Sequence, residues 1–202
     1  MNYLAIDTSG KNLTVIIEYN NKKEVYFNED CGVNHSVKVM PKIEELKEKL
    51  DCDFNKLDFV AVVIGAGSFT GIRIGLSTAK AICFAYSIPI LSITSFDTIA
   101  YNTKKEKRLA VIDAKHDSFY VCGYDCDTIT KEPSFIDKTE LIKLSKKYDL
   151  ISFEKIEGFD VEKVDICEGL INAIHKKYNE KTLDYDSASA LYIRKSQAEE
   201  GR

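Results

Sequence analysis

The run Ile64-Gly65-Ala66-Gly67-Ser68-Phe69-Thr70-Gly71-Ile72-Arg73-Ile74-Gly75-Leu76-Ser77-Thr78-Ala79-Lys80 limits what this chain can fold into more than any other stretch. It follows an apolar segment, Phe59 to Ile64, that reads as a buried strand. It then breaks into a glycine turn and opens a helix running from about Thr70 to Tyr86. Gly71, Gly75 and Ala79 recur every four residues and so share one helix face. Glycine inside a soluble helix costs about 1 kcal/mol relative to alanine. Two in one stripe imply that another backbone comes very close. Whether a nucleotide or another helix approaches that face is the functional question.

Around this run the element order is legible. Tyr3–Asp7, Leu13–Tyr19 and Lys23–Phe27 read as three strands joined by turns at Ser9-Gly10 and Asn20-Asn21. Asn34 stands where it can cap a helix ending near Leu50, with Val39, Ile43, Leu46 and Leu50 as its apolar stripe. Pro41 inside that helix predicts a kink or a late start. Pro89–Ile93 is a short strand, and a further helix starts near Ser95. Lys104-Lys105-Glu106-Lys107-Arg108 reads as a charged link between an N-terminal lobe, 1–103, and a shortened C-terminal lobe, 104–202. After it the chain restarts. Strands are expected at Arg108–Asp113 and Ser118–Tyr124, with a short one at 128–135. A helix at about Lys138–Tyr148, a strand at Leu150–Phe153, a helix at about Ile166–Tyr178 and a loop-rich tail from Asp184 complete the order.

The restart has the form of an internal repeat. Ala5-Ile6-Asp7 before Leu13–Tyr19 is echoed by Val111-Ile112-Asp113 before Phe119–Tyr124. Two copies of βββαβα describe the α/β architecture of actin, hexokinase and Hsp70, in which paired strand-end aspartates hold a metal–nucleotide. The fold class expected here is that duplicated α/β arrangement.

Composition narrows the function classes. The formal net charge is −4 and the pI about 5.5, whereas a protein that grips nucleic acid by itself is usually basic. Contact with RNA would then be local or through a partner. Cys31, Cys52, Cys83, Cys122, Cys126 and Cys167 show no C-x2-C spacing, and the start of the chain reads as a strand rather than a targeting segment. Reduced, buried thiols in a cytoplasmic protein are the expectation. No apolar run approaches membrane-spanning length.

Each candidate motif has a plain alternative. The glycine turn has the spacing Gly65-x-Gly67-x3-Gly71, which departs from a dinucleotide fingerprint. Gly71 is followed by Ile72-Arg73, not the Lys-Ser/Thr of a phosphate loop. A tight strand-to-helix turn with a small-residue packing face accounts for it, and Arg73 remains able to meet an anion or a partner carboxylate. Asp7 is followed by Thr8-Ser9-Gly10, a tolerable phosphate turn, but Asp113 by Ala114-Lys115-His116, without the glycine that lets backbone N–H groups reach phosphate. Asp7, Ser9 and Asp113 therefore read as a degenerate nucleotide cleft. His35, His116 and His175 lie far apart without His-x3-His spacing, and Ser68 lacks a G-x-S-x-G elbow. No metal site is expected.

The residues resemble a known family. Gly65-Ala66-Gly67-Ser68-Phe69-Thr70-Gly71-Ile72-Arg73-Ile74-Gly75 resembles the G-P-G-S-F-T-G-x-R-x-G signature of the TsaB (YeaZ) family. Leu4-Ala5-Ile6-Asp7-Thr8-Ser9, His35-Ser36 with Met40-Pro41, Asp113-Ala114-Lys115 with Phe119-Tyr120, and Leu191-Tyr192-Ile193-Arg194 resemble its other motifs. Ala66, Val37 and Ala190 depart from them. The resemblance implies a non-catalytic scaffold in bacterial tRNA threonylcarbamoyladenosine synthesis. Such a subunit pairs with the catalytic paralogue TsaD and with the ATPase TsaE, and forms a homodimer when alone. The complex transfers threonylcarbamoyl to N6 of the adenosine beside the anticodon in tRNAs reading ANN codons, so tRNA is met only through the complex. No cofactor is implied for the chain itself, with ATP or ADP entering only at the level of the complex. TsaD carries a His-x3-His metal set where Ser95 and Ile99 stand here. The resemblance places partner contacts at His35, Pro41, Phe69, Gly71, Ile72, Arg73, Gly75, Leu76 and Ala79. The alternative is a small ATPase, kinase or peptidase-like enzyme working through Asp7 and Asp113.

Overall fold

The computed structural model describes residues 1–179 and 188–194. The expected loop-rich tail lies outside the described residues except for 188–194. The chain divides into two compact units, Met1–Thr94 with Ile174–Leu191, and Ser95–Ala173 with Tyr192–Arg202. The division falls before the charged link at 104–108, and a C-terminal segment belongs to the first unit.

In the first unit, β1 (Tyr3–Asp7), β2 (Leu13–Tyr19) and β3 (Lys22–Asn28) form an antiparallel meander. Asn20 and Asn21 both adopt positive φ (51° and 62°), the conformation a two-residue hairpin needs to match strand twist. β4 (Phe59–Val63) and β5 (Ile90–Ile93) add in parallel, giving the order β3-β2-β1-β4-β5. β1 and β4 are buried on both faces, which is why their sequences are almost unbroken apolar runs. α1 (His35–Lys49) and α2 (Phe69–Tyr86) pack Val39, Ile43, Leu46, Ala79, Ile82 and Cys83 onto Leu4, Ile6, Val60 and Val62 of one sheet face.

Two expectations for α1 need correction. Asn34 holds the N-cap position but makes no side-chain cap bond, because a one-turn 3-10 helix, Gly32–Asn34, leads into α1 with near-helical backbone. The helix also starts well before Pro41, which overturns the late start but not the kink, and the proline removes one N–H donor from a helix already under way. α2 begins with its cap in place: the Ser68 side chain accepts from the Gly71 N–H at 3.2 Å.

The second unit repeats the strand order. It comprises α3 (Ser95–Ala100), β6 (Lys107–Asp113), β7 (Ser118–Asp125), β8 (Thr128–Asp137), α4 (Lys138–Leu144), β9 (Asp149–Ser152), β10 (Glu162–Lys163) and most of α5 (Ile166–Asn179). The sheet runs β10-β9-β6-β7-β8, the same order as β5-β4-β1-β2-β3. The second sheet carries no counterpart of α2 between its equivalent strands. Residues 153–161 cross from β9 to β10 without a helix. β8 extends past 135 to Asp137, and α4 stops at Leu144, four residues short of expectation. The link at 104–108 is not wholly solvated either. Arg108 is buried, with Nε donating to the Ala100 carbonyl at 2.6 Å and a terminal nitrogen to the carbonyls of Lys105 and Glu106. Its guanidinium closes the end of α3, satisfying carbonyls that the short helix leaves open.

Candidate functional site

The small face of α2 meets the chain's own first strand. A Cβ on Gly71 would collide with the Thr8 carbonyl oxygen, and one on Gly67 with the Ser9 carbonyl oxygen. One on Gly75 would stand 2.5 Å from the Thr8 hydroxyl oxygen. That hydroxyl donates to the Gly71 carbonyl at 2.7 Å, and the Ser68 N–H donates to the Ser9 carbonyl at 2.6 Å. The backbone that the glycines admit is therefore the turn Thr8-Ser9 after β1. Gly71, Ile72, Gly75 and Ala79 are buried within this unit, which corrects their assignment to a partner surface. At the other side of the glycine turn the Leu191 N–H donates to the Ile64 carbonyl at 2.8 Å.

His35 is corrected in the same way. It is buried, and its Nε2 lies 3.0 Å from the Asn12 carbonyl oxygen, an acceptor only, so Nε2 carries the proton and donates. The residue ties the start of α1 to the β1–β2 connection and offers nothing to a partner directly. Leu76 is half-buried against the unit's own core. Of the expected contact set, Pro41 and Arg73 are exposed and Phe69 half-exposed.

Phe69 and Arg73, but not Pro41, line a groove of about 510 Å³ between α1 and α2, together with Val39, Met40 and Ile74. The Arg73 guanidinium stacks on the Phe69 ring at 3.8 Å. Val33 is 94% exposed, Val37 70% and Phe84 81%. Val33 stands on the one-turn 3-10 helix before α1, Val37 on α1 and Phe84 on α2. The periodicity of α1 and α2 could have disclosed them, since Val37 and Phe84 lie off the buried stripes.

The two strand-end aspartates have different surroundings. Asp7 is buried, and its Oδ1 accepts from the Ser9 N–H at 2.8 Å and the Ser9 hydroxyl at 2.7 Å. Burial pushes its carboxyl above the usual range, against the pull of the Ser9 bonds and of His35. Thr14, its cross-strand neighbour on β2, has a buried hydroxyl without a hydrogen-bond partner. Asp113 is bonded by one residue on both oxygens: the Lys115 N–H to Oδ1 at 2.7 Å and the Lys115 ammonium to Oδ2 at 2.6 Å. Partial burial would raise its carboxyl, but these bonds outweigh it and hold the group below the ordinary value. Lys115, His116 and Asp117 all adopt positive φ in this turn.

Among the described residues no three His, Cys, Asp or Glu side chains are grouped to hold a metal ion, and no helix is long and apolar enough to cross a membrane. Ser95 and Ile99 are both buried on α3. Cys31, Cys52, Cys83 and Cys122 are buried as expected, whereas Cys126 is exposed and Cys167 intermediate.

With this geometry in view, the duplicated strand order defines an α/β protein of the actin/hexokinase/Hsp70-like class. The family described as TsaD, tRNA N6-adenosine threonylcarbamoyltransferase, matches residues 22–191. The tRNA threonylcarbamoyladenosine biosynthesis protein TsaB of Buchnera aphidicola (subspecies Schizaphis graminum) is 31% identical over 164 residues, 73% of this chain and 76% of that protein. The protein of that name from Bacillus subtilis is 33% identical over 128 residues, 61% of this chain, and the match spans 55% of that protein's length. The structure of YeaZ from Pseudomonas aeruginosa superposes with a TM-score of 0.77 at 16% identity, covering 95% of this chain and 99% of that one. The chain belongs to the TsaB (YeaZ) family, within the wider group matched by the TsaD description.

Proposed function

We propose that this chain is a non-catalytic subunit in tRNA threonylcarbamoyladenosine biosynthesis that binds a TsaD-type catalytic subunit through the outward faces of α1 and α2. The observation that carries this reading is the α1–α2 groove lined by Val39, Met40, Phe69 and Ile74, with Val37 and Phe84 exposed on the same two helices. Exposed apolar surface beside such a groove is a mark of an interaction site. The relatives' name supplies the process, and the catalysed step is transfer of a threonylcarbamoyl group to the adenosine beside the anticodon. The chain contributes a docking face, needs no cofactor of its own, meets tRNA through the complex and joins the ATPase TsaE there. A homodimer covers the same face when the partner is absent. Lys115 holds both oxygens of Asp113, and no glycine follows to cradle a phosphate. This favours the subunit reading over an ATPase working through Asp7, Ser9 and Asp113.

Light scattering after size exclusion tests the reading. The chain mixed with the TsaD of the same cell is expected to give a one-to-one complex, and Val37→Asp with Phe84→Asp to abolish it while leaving the fold intact. Both positions are exposed, which makes them better probes than the buried Gly75. No association under any nucleotide or salt condition would overturn the proposal. So would tight nucleotide binding by the chain alone that disappears in Asp7→Asn and Asp113→Asn.

A further inference from the structure

β3 is the outermost strand of its sheet, so one of its edges faces away from every other strand. The pair Tyr19↔Lys22 closes the two-residue Asn20-Asn21 turn through hydrogen bonds, and bonded and non-bonded pairs alternate along an antiparallel ladder. Lys22, Glu24, Tyr26 and Asn28 therefore bond to β2, while Lys23, Val25 and Phe27 aim their N–H and C=O groups away from it. Val25 and Phe27 are also 41% and 43% exposed. β3 keeps register with β2 along its whole length, without bulge or proline. The equivalent edge of the other sheet, β8, is blunted in both ways: Pro133 lies within it, and its register with β7 shifts between Val121 and Tyr124. β3 carries charge at its ends instead, with Lys22-Lys23 at its start and Glu29-Asp30 in the turn that follows it. All four side chains are exposed and form no ion pair among the described residues, although Lys23 faces Glu18 across the β2–β3 register.

We infer that β3 pairs antiparallel with β3 of a second copy, about a two-fold axis through Tyr26, and so joins two sheets into one. In that register Val25 meets Phe27 and Lys23 meets Glu29, each twice, on the sheet face opposite the one where Lys42 of α1 lies over the Tyr26 ring. Lys22 meets Asp30 at both ends. The order from Lys-Lys to Glu-Asp is self-complementary when the strands run antiparallel, whereas a parallel pair sets like charge on like. Pairing must bring the outward-aimed groups together, so the register slips only by two residues at a time. One slip sets Lys23 against Phe27 and Glu29 against Asn21. The other sets Glu24 against Asp30 and Val25 against Glu29. Both exchange opposite-charge or apolar pairs for mismatched ones. The end charges thus deter other strands and other registers while fitting a copy of this one. The contact uses the edge of the sheet rather than the outward faces of α1 and α2, and it does not depend on the docking proposed there.

Sedimentation equilibrium of the full chain tests this in the Val37→Asp/Phe84→Asp background, which removes self-association through the helix face. The expected result is a monomer–dimer equilibrium that weakens with salt, as screening shortens from about 10 Å at 0.1 M to about 3 Å at 1 M ionic strength. Val25→Pro deletes an outward-aimed N–H but no bond to β2, and should abolish the dimer. Glu29→Lys sets lysine against Lys23 at both ends and should weaken the dimer about tenfold at low salt. Adding Lys23→Glu to that variant restores opposite signs and should recover most of the loss. Circular dichroism should be unchanged in Glu29→Lys, so its result stands even where Val25→Pro disturbs the fold. Absence of a dimer in the background variant at every soluble concentration overturns the inference. So does a dimer indifferent to Glu29→Lys at low salt. Neither result touches the one-to-one complex proposed above, which is scored with the wild-type chain and its partner.

Discussion

The two units share one strand order and differ in what the chain does at two equivalent points. After β1 the turn Thr8-Ser9 lies under an 18-residue helix, with Gly71 and Gly75 shaped to receive it. After β6 the turn Ala114–Asp117 has no such cover, because residues 153–161 make the β9–β10 crossover without a helix. The consequence is chemical. Asp7 is closed off and bonded by its neighbour Ser9, while Asp113 is partly open and neutralised by Lys115. A repeat can therefore keep its sheet while losing its site. The sheet depends on strand pairing, which each copy retains, and the site depends on what covers the strand ends.

The sharpest test of this contrast is Gly71→Ala. Its Cβ has no room beside the Thr8 carbonyl, so α2 must shift from β1. Overpacking against backbone predicts a loss of about 3 kcal/mol, read from urea denaturation. A loss under about 1 kcal/mol would break the idea that this contact defines the first unit.

The two aspartates should next show opposite pH signs. The folded carboxyl of Asp7 is raised, so its contribution is fully present below the unfolded value near 3.8 and fades as pH rises through the folded one. Asp7→Asn keeps the acceptor oxygen for Ser9 and removes the buried charge. It should stabilise the protein by about 1 kcal/mol at pH 7.5, with the gain vanishing below pH 4. Asp113 is lowered when folded, so its contribution exists above 3.8 and is lost as pH falls through the folded value. Asp113→Asn should cost about 0.5 kcal/mol at pH 7.5 and nothing at pH 2, a small effect because the pair is exposed. Thermal melts of both variants across pH 2–8 decide the matter, and equal signs would erase the distinction drawn here. Smallest of all is Gly10→Ala. Open space surrounds the would-be Cβ, and the change should shift stability by no more than about 0.5 kcal/mol, toward stabilisation through the unfolded chain.

Strands and long helices were legible because burial on both faces of β1 and β4, or on one stripe of α1, writes itself as periodicity. The docking stripe of α2 was legible only in part. The i, i+4 spacing of Gly71, Gly75 and Ala79 fixed which residues share a face, but periodicity cannot say what lies opposite. The answer was the chain's own Thr8, so the small residues proved internal and Arg73 external. His35 misled for a related reason: the resemblance placed it at a partner contact, and one carbonyl acceptor from Asn12 is enough to bury it. Arg108 sat in a charged run yet is buried, since three backbone carbonyls contributed by the fold satisfy its guanidinium. β10 is two residues long and carries no pattern at all.

The bond from Leu191 to Ile64, together with Ala188 in the core of the first unit, bears on how the protein is made. A ribosome delivers β1 to β5 early, but the residue that closes the edge of the glycine turn emerges far later. The first unit must wait in an incomplete state through synthesis of nearly the entire second one. Contacts so distant in sequence slow closure, and a nascent chain in that interval exposes apolar surface to chaperones.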